Sequence, residues 1–202
     1  FVIDEAFRCR YLVGAGGTPC PVYRNLFHDR NPRASGLQIA TLEQEFAYDW
    51  DDPACHLWFF DAGLPGYAWY VPKADGYINV GLGGMAEQLK HRGGHLRDYW
   101  QDFVGKLKRR GLVDYDDYDP KGYSYYIRDS VEAVSDRNAY IVGEAVGLAT
   151  RDMCEGIGPA VRSGLLAARS IATGEPYSLA GIDALSGGSF VSRLLERQFA
   201  GH

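Results

Sequence analysis

Residues 140–148 read Tyr-Ile-Val-Gly-Glu-Ala-Val-Gly-Leu, and residues 155–160 read Glu-Gly-Ile-Gly-Pro-Ala. The apolar run 139–142 is too short for a helix and predicts a fully buried strand. Its C-terminal end delivers a carboxylate, Glu144, between Gly143 and Gly147, two positions where a ligand can approach the backbone closely. Residues 156–173 then predict a helix rich in alanine and glycine, whose first amides have no partner inside the helix. A helix N-terminus carries roughly half a positive charge and favours negative charge beside it. Strand, glycine loop and helix start together describe a site for a polar, partly anionic group. Gly156, Ala160, Gly164, Ala167 and Ala168 recur near three-to-four spacing, so one helix face is expected to press closely on a neighbour. The same residues also describe a tightly packed helix with no ligand, and pattern alone leaves both readings open.

Working outward, two other glycine turns compete for attention. Residues 9–14 read as a buried strand ending in Gly14-Ala15-Gly16-Gly17-Thr18-Pro19. This approaches the dinucleotide fingerprint G-x-G-x-x-G but places Pro19 at the third glycine, and Pro21 argues against a helix directly after it. Gly81-Leu82-Gly83-Gly84-Met85-Ala86 satisfies G-x-G-x-x-A, yet the strand before it belongs to an antiparallel array rather than a βαβ unit. That array is read from strands at 37–46, 56–61, 67–72 and 77–82, with 123–128 as a further member, and is expected to be a meander. In strand 67–72, Tyr67, Trp69 and Val71 share one face, and Ala68, Tyr70 and Pro72 the other. Leu96, Tyr99, Trp100, Phe103, Val104 and Leu107 recur at helical spacing before Gly111, which predicts an amphipathic helix over 95–110. A last helix is expected within 182–200.

The 202 residues are 46% hydrophobic and 23% charged, which is globular composition and excludes a disordered chain. A formal net charge of −5 lacks the basic footprint of a nucleic-acid binder, so no nucleic-acid partner is expected. No apolar run reaches the roughly 18 residues that span a bilayer, which makes a soluble, cytoplasmic protein the expectation. Opening on Phe1 in mid-pattern points to a segment of something longer. Cys9, Cys20, Cys55 and Cys154 form no C-x-x-C pair, so buried free thiols are expected and no metal. His28, His56, His91, His95 and His202 share no motif with a nucleophile or ligand set, and Asp114, Asp116, Asp117 and Asp119 read as a solvated loop.

With these motifs in hand, the chain resembles the flavoprotein family that includes p-hydroxybenzoate hydroxylase and the geranylgeranyl reductases. GEAVG and EGIGPAVRSGLLAA resemble the second flavin-binding motif, G-D-A-A-G followed by G-x-G-I and a small-residue helix. Gly14-Ala15-Gly16-Gly17 resembles the family's middle motif, G-A-D-G. Pro65-Gly66-Tyr67-Ala68-Trp69-Tyr70-Val71-Pro72, followed by Asn79-Val80-Gly81, resembles the Y-x-W-x-F-P and N-x-G signature of the geranylgeranyl reductase branch. Two positions depart from the pattern: Glu144 replaces the usual Asp, and Gly16 replaces the Asp of the middle motif. The family's N-terminal βαβ with G-x-G-x-x-G, which holds the ADP half of FAD, has no counterpart in these 202 residues.

The resemblance implies an α/β (α+β) architecture, in which an incomplete Rossmann-like FAD-binding domain joins an antiparallel-sheet substrate-binding domain. Residues 1–36 would be the remnant carrying the middle motif, 37–135 the sheet domain, and 136–202 the returning FAD-binding segment with the C-terminal helices. FAD is the implied cofactor, with Gly14, Gly16, Gly143, Glu144, Gly147, Gly156, Ile157 and Gly158 around it, and full binding is expected to need the N-terminal half. The implied reaction is hydride transfer from reduced flavin to a carbon–carbon double bond of an isoprenoid or related lipid, over a floor containing Tyr67, Trp69 and Val71. An electron donor follows from this, either NAD(P)H or a ferredoxin-type protein, as does peripheral contact with a membrane. No residue announces itself as the proton donor; Tyr67, Trp69 and Cys154 are candidates for the pocket, with plain core packing the alternative for each. A flavin-dependent monooxygenase or halogenase on the same scaffold, and a non-catalytic lipid- or partner-binding module, are the competing functions.

Overall fold

The apolar run at 139–142 is the centre of a small sheet, and everything near the glycine loops is built around it. A computed structural model describes residues 1–187 and 190–200. The chain forms two compact units: residues 38–124 make one, and the flanking segments, 1–37 and from 125 onward, make the other. His202 lies outside the described residues.

The discontinuous unit opens with the short hairpin β1 (Val2–Ile3) and β2 (Phe7–Arg8), then β3 (Leu12–Gly14) and α1 (Pro21–Leu26). The expectation that no helix follows the first glycine turn is overturned by α1. Pro21 sits at its first helical position, where a missing N–H costs nothing and the fixed φ suits a helix. The chain returns to this unit through β9 (Ser135–Asp136), β10 (Ala139–Ile141), α4 (Ile157–Thr173) and α5 (Phe190–Ala200). The last helix lies where it is expected, within 182–200, and 182–187 bend back to bond with the loop before α4. β10 pairs parallel with β3 on one side and antiparallel with β9 on the other. Its buried side chains pack with Tyr23 and Phe27 from the α1 segment and with Leu148 and Ala167.

The continuous unit carries β4 (Gln38–Ala47), β5 (His56–Phe59), β6 (Gly66–Lys73), β7 (Tyr77–Met85), α2 (Ala86–His91), α3 (Leu96–Arg109) and all but the last two residues of β8 (Lys121–Tyr126). Sheet order is β5-β6-β7-β4-β8. Only β5 to β7 form the expected meander. β4 pairs along its whole length with β7, so the first strand closes the sheet from the far side and β8 joins beyond it. All of the G-x-G-x-x-A match except Ala86, which opens α2, falls within β7, a fully paired antiparallel strand with no loop to cradle a phosphate. Even-numbered positions, among them Leu42, Tyr70, Ile78, Val80 and Leu82, face inward against Trp100, Phe103 and Leu107 of α3.

Leu107 is fully buried in that layer. Leu107→Ala is expected to destabilise the protein by about 2–5 kcal/mol, as large-to-small core changes do. Urea unfolding measures this directly, and a loss well below that range would mean that α3 is not docked on the sheet.

Candidate functional site

The β3–β10 register aligns Ile141 with Gly14. Because the strands are parallel, the two glycine loops leave the sheet at the same end and lie side by side. In α/β proteins that end, beyond the carboxyl termini of parallel strands, is where ligands bind. The backbone is drawn close: Val142 N–H donates to Gly14 O at 3.0 Å, and a Cβ on Gly14 would lie 2.7 Å from Val22 Cβ. Gly16 is exposed in the first loop.

The second loop turns through Gly143 and Gly147, with φ of 59° and 78°, the left-handed region where glycine carries no Cβ penalty. Gly143 N–H donates to Ser163 Oγ at 2.8 Å, and a Cβ on Gly143 would stand 3.0 Å from Ala160 Cβ. The close packing of the helix expected from the small-residue spacing is thus made against the loop at Ala160, and Ala167 is buried in the core. At Gly164 it is not: an added Cβ there meets nothing within 4 Å, and Ala168 is exposed.

Glu144 ties the loops together. The Thr18 amide and hydroxyl both donate to its Oε1, at 2.9 and 2.7 Å. Arg33 reinforces the join by donating from Nη1 to Thr18 O at 2.7 Å and from Nη2 to Ala145 O at 2.9 Å. Its guanidinium carbon lies 3.8 Å from the Tyr23 ring centroid and 5.1 Å from that of Tyr126. A planar cation held between rings and two carbonyls is a pre-organised fork that a lysine could not imitate.

The segment leading into α4 is braced from beneath. Thr150 N–H donates to Glu155 O at 2.9 Å, and Thr150 Oγ lies 2.8 Å from Ser186 Oγ. Asp152 is fully buried, and its Oδ1 accepts from the Met153 and Ser186 amides, each at 2.9 Å. Burial opposes its charge, but hydrogen bonds from Ser186 and Ser192 outweigh that and hold the carboxyl below the ordinary carboxylate range. Cys154 is also buried, and burial pushes its thiol up to about 12. It stays neutral at physiological pH, poorly suited to act as an acid.

The start of α4 differs from the expected row of unpartnered amides. Gly158 N–H donates to Glu155 Oε1 at 2.8 Å. The surroundings are nonetheless open: Ile157 is 79% exposed, and a Cβ on Gly156 would meet only Ala149 Cβ, at 3.9 Å.

In the continuous unit, Tyr67, Trp69 and Val71 do share a face, half-buried, while Ala68 and Tyr70 point into the core. The neighbouring strand places Gly83 opposite Tyr67 and Gly81 opposite Trp69. A Cβ on Gly81 would sit 2.1 Å from Trp69 Cζ2, so the indole lies flat on a glycine floor. Trp69 Nε1–H donates to Asn79 Oδ1 at 2.7 Å, and Tyr67 packs between Trp69 and Phe59 with centroids 5.8 and 5.2 Å away.

Residues 36–114 match the geranylgeranyl reductase catalytic domain, a stretch that contains this aromatic face. The fold agrees: a geranylgeranyl bacteriochlorophyll reductase-like protein from Thermoplasma acidophilum superposes with a TM-score of 0.67 at 19% identity, over 95% of this chain and 45% of that one. Residues 36–114 are therefore similar to that catalytic domain, and the chain shares the fold of the Thermoplasma protein. An uncharacterised protein of Methanosarcina barkeri is 31% identical over 172 residues, covering 84% of this chain and 41% of its own length. The flavin-dependent halogenase CmlS shares the fold with a TM-score of 0.58 at 16% identity, over 94% of this chain and 34% of that one. The chain thus spans less than half the length of each of these relatives. No helix among the described residues is long and apolar enough to cross a membrane.

Thr18, Arg33, Asp152 and Ser163 brace the candidate site, and sequence reading passes over them. Thr18 sits inside a recognised motif but has no signal of its own. Arg33 is 15 residues further along and 112 from Ala145, so only the folded chain reveals its role.

Thr18→Val removes the hydroxyl bond to a charged acceptor and is expected to cost about 1.5–3 kcal/mol, less whatever solvent screening restores; Thr18→Ser should recover most of it in the same unfolding assay. Asp152 has a depressed carboxyl pKa, so its contribution is present above the ordinary carboxylate range and lost as pH falls through the folded value. Asp152→Asn keeps a carbonyl acceptor but removes the charge, and is expected to flatten the acid limb of the stability–pH profile.

Proposed function

We propose that this chain is the flavin-ring and substrate portion of an FAD-dependent oxidoreductase that reduces carbon–carbon double bonds of an isoprenoid or related lipid. The observation that carries the reading is the pair of glycine loops at one end of the parallel strands, bridged by Glu144 and followed by the open start of α4. These residues fit a flavin's polar parts. Glu144 suits the ribityl hydroxyls, because a carboxylate accepts hydrogen bonds and the two bonds from Thr18 fix its position between the loops. The extra methylene relative to aspartate is taken up by the two bonds from Thr18, which hold the longer side chain in place. Gly156, Ile157 and Gly158 offer backbone amides at a helix N-terminus, where negative charge is stabilised without reorganisation. Gly158 already donates to the half-exposed Glu155, so ligand binding there competes with a solvent-accessible contact. Gly14, Gly16, Gly143 and Gly147 let the loops close on their own surroundings, since an added Cβ would meet Val22, Cys20, Ala160 and Tyr126 in turn.

Bound FAD would supply a hydride equivalent to one alkene carbon, with a proton from solvent or a neighbouring acid completing the other. The chain's own part is to hold and shield the substrate. Tyr67, Trp69 and Val71, with Trp69 resting on Gly81, make an apolar surface suited to a lipid chain, and the Trp69 bond to Asn79 fixes the indole plane. Electrons would come from NAD(P)H or a ferredoxin-type protein, and a lipid substrate makes contact with a membrane surface a natural accompaniment. An oxygen-using reading, monooxygenase or halogenase, is favoured by the fold shared with CmlS.

Titrating the chain with riboflavin, which lacks the ADP half, is expected to quench flavin fluorescence. Glu144→Ala should weaken that binding about tenfold, equivalent to ~1.4 kcal/mol. Unchanged affinity in this variant would overturn the ribityl assignment. Anaerobic saturation of a prenyl substrate by the reduced holoenzyme supports the reductase; turnover that requires dioxygen supports the alternative.

A further inference from the structure

Trp69 brings a polar atom, the indole Nε1–H, to the outer face of the sheet, and a surface for a lipid chain requires that this donor be occupied. Asn79 Oδ1 accepts it at 2.7 Å. An asparagine amide has two unlike ends, a carbonyl that accepts and an NH2 that donates, and a half-turn of the side chain exchanges them. In the turned orientation two donors would face each other, and at a half-buried position water could serve both. The indole by itself therefore holds the amide only loosely.

The register of the sheet supplies a second hold. Glu45 of β4 stands directly opposite Asn79 of β7, and Val71 of β6 pairs with Asn79 on the other side, so the three form one row across the outer face. Trp69 and Gly81 occupy the next row. The Glu45 carboxylate accepts hydrogen bonds from Lys73 and from Asn79, and these, the Lys73 bond foremost, hold its carboxyl below the ordinary carboxylate range.

The donor and acceptor types then leave one solution. A carboxylate only accepts, whereas a lysine ammonium and an indole N–H only donate. Across the sequence Lys73, Glu45, Asn79, Trp69, every donor meets an acceptor only when the Asn79 NH2 faces Glu45 and its carbonyl faces the indole. That is the arrangement present.

We infer that Glu45 is a positioning residue: by engaging the Asn79 amide it turns the Asn79 carbonyl toward Trp69 and keeps the indole N–H away from whatever lies on this face. Its consequence for turnover rests on the proposed reading of Tyr67, Trp69 and Val71 as the alkene surface. The hydrogen-bond relay does not.

The four tryptophans give four indole N–H signals in a nitrogen-15 NMR spectrum, and Trp69→Phe identifies the one from Trp69. Exchange of that proton with solvent reads the bond to Asn79. The Glu45 side chain is 44% exposed, so its replacement leaves the core intact. Glu45→Ala frees the amide to turn and is expected to speed exchange about fivefold, the fold-change of one ordinary hydrogen bond. Glu45→Gln still offers Asn79 a carbonyl, at the expense of the contact with Lys73, and should exchange within about twofold of the unaltered chain. Glu45→Arg offers only donors, draws the Asn79 carbonyl off the indole and should exchange fastest. A role through charge alone would instead group Glu45→Gln with Glu45→Ala. In reduced holoenzyme, Glu45→Ala is expected to raise KM for a prenyl substrate about threefold with kcat unchanged, the signature of a binding surface altered equally in ground and transition states. Equal exchange in all three variants, Glu45→Gln exchanging like Glu45→Ala, or an unchanged KM where exchange has risen would each overturn the inference. Absence of prenyl turnover in the unaltered holoenzyme would count against the reductase reading, and the exchange series would still decide the relay.

Discussion

The parallel alignment of Ile141 with Gly14 is the constraint on which the candidate site depends. It brings two loops, more than a hundred residues apart in the chain, to one end of the sheet, where their amides and one carboxylate can converge. Strand pairing alone would leave those loops loose. The Thr18–Glu144 bonds and the Arg33 fork convert adjacency into a fixed geometry, because each of Arg33's bonds ends on a different loop. Charged hydrogen bonds at partly buried positions are among the stronger ones available to a protein, and their directionality limits the shapes the loops can take.

The replacement of aspartate by glutamate in the loop motif is intelligible within that clamp. A longer carboxylate has more rotamers and would be less well defined if it met solvent alone. Two donors from one residue, backbone and hydroxyl, reduce that freedom, and Arg33 in turn restrains the donor. The loop before α4 follows the same logic at a deeper level. Asp152 keeps its charge in a fully buried position because backbone amides and serine hydroxyls replace water around it.

The continuous unit solves a different problem. A sheet with aromatic residues on both faces must bury one set and present the other. α3 covers the inner face with Trp100, Phe103 and Leu107, while the glycines of β7 let Trp69 lie flat on the outer one. Gly81 and Gly83 mimic a phosphate-binding fingerprint in the sequence, yet their function is steric: any side chain at Gly81 would collide with the indole.

Much of this was legible from local signals. Apolar alternation located the strands of the sheet, the three-to-four spacing located α3 and α4, and the run Tyr140–Val142 announced a buried strand, because each pattern reflects burial of one face of a single element. Sequence by itself also determined the residue types around the loops, the glycines and Glu144, and hence the chemistry they offer. What tertiary structure alone decided was partnership. That β4 closes against β7, that Pro21 starts a helix, that Gly158 meets Glu155, and that Arg33 holds both loops all arise from contacts between distant segments. Periodicity carries no information about which remote donor will meet which acceptor; that is set only when the chain packs and each buried polar group must find a partner.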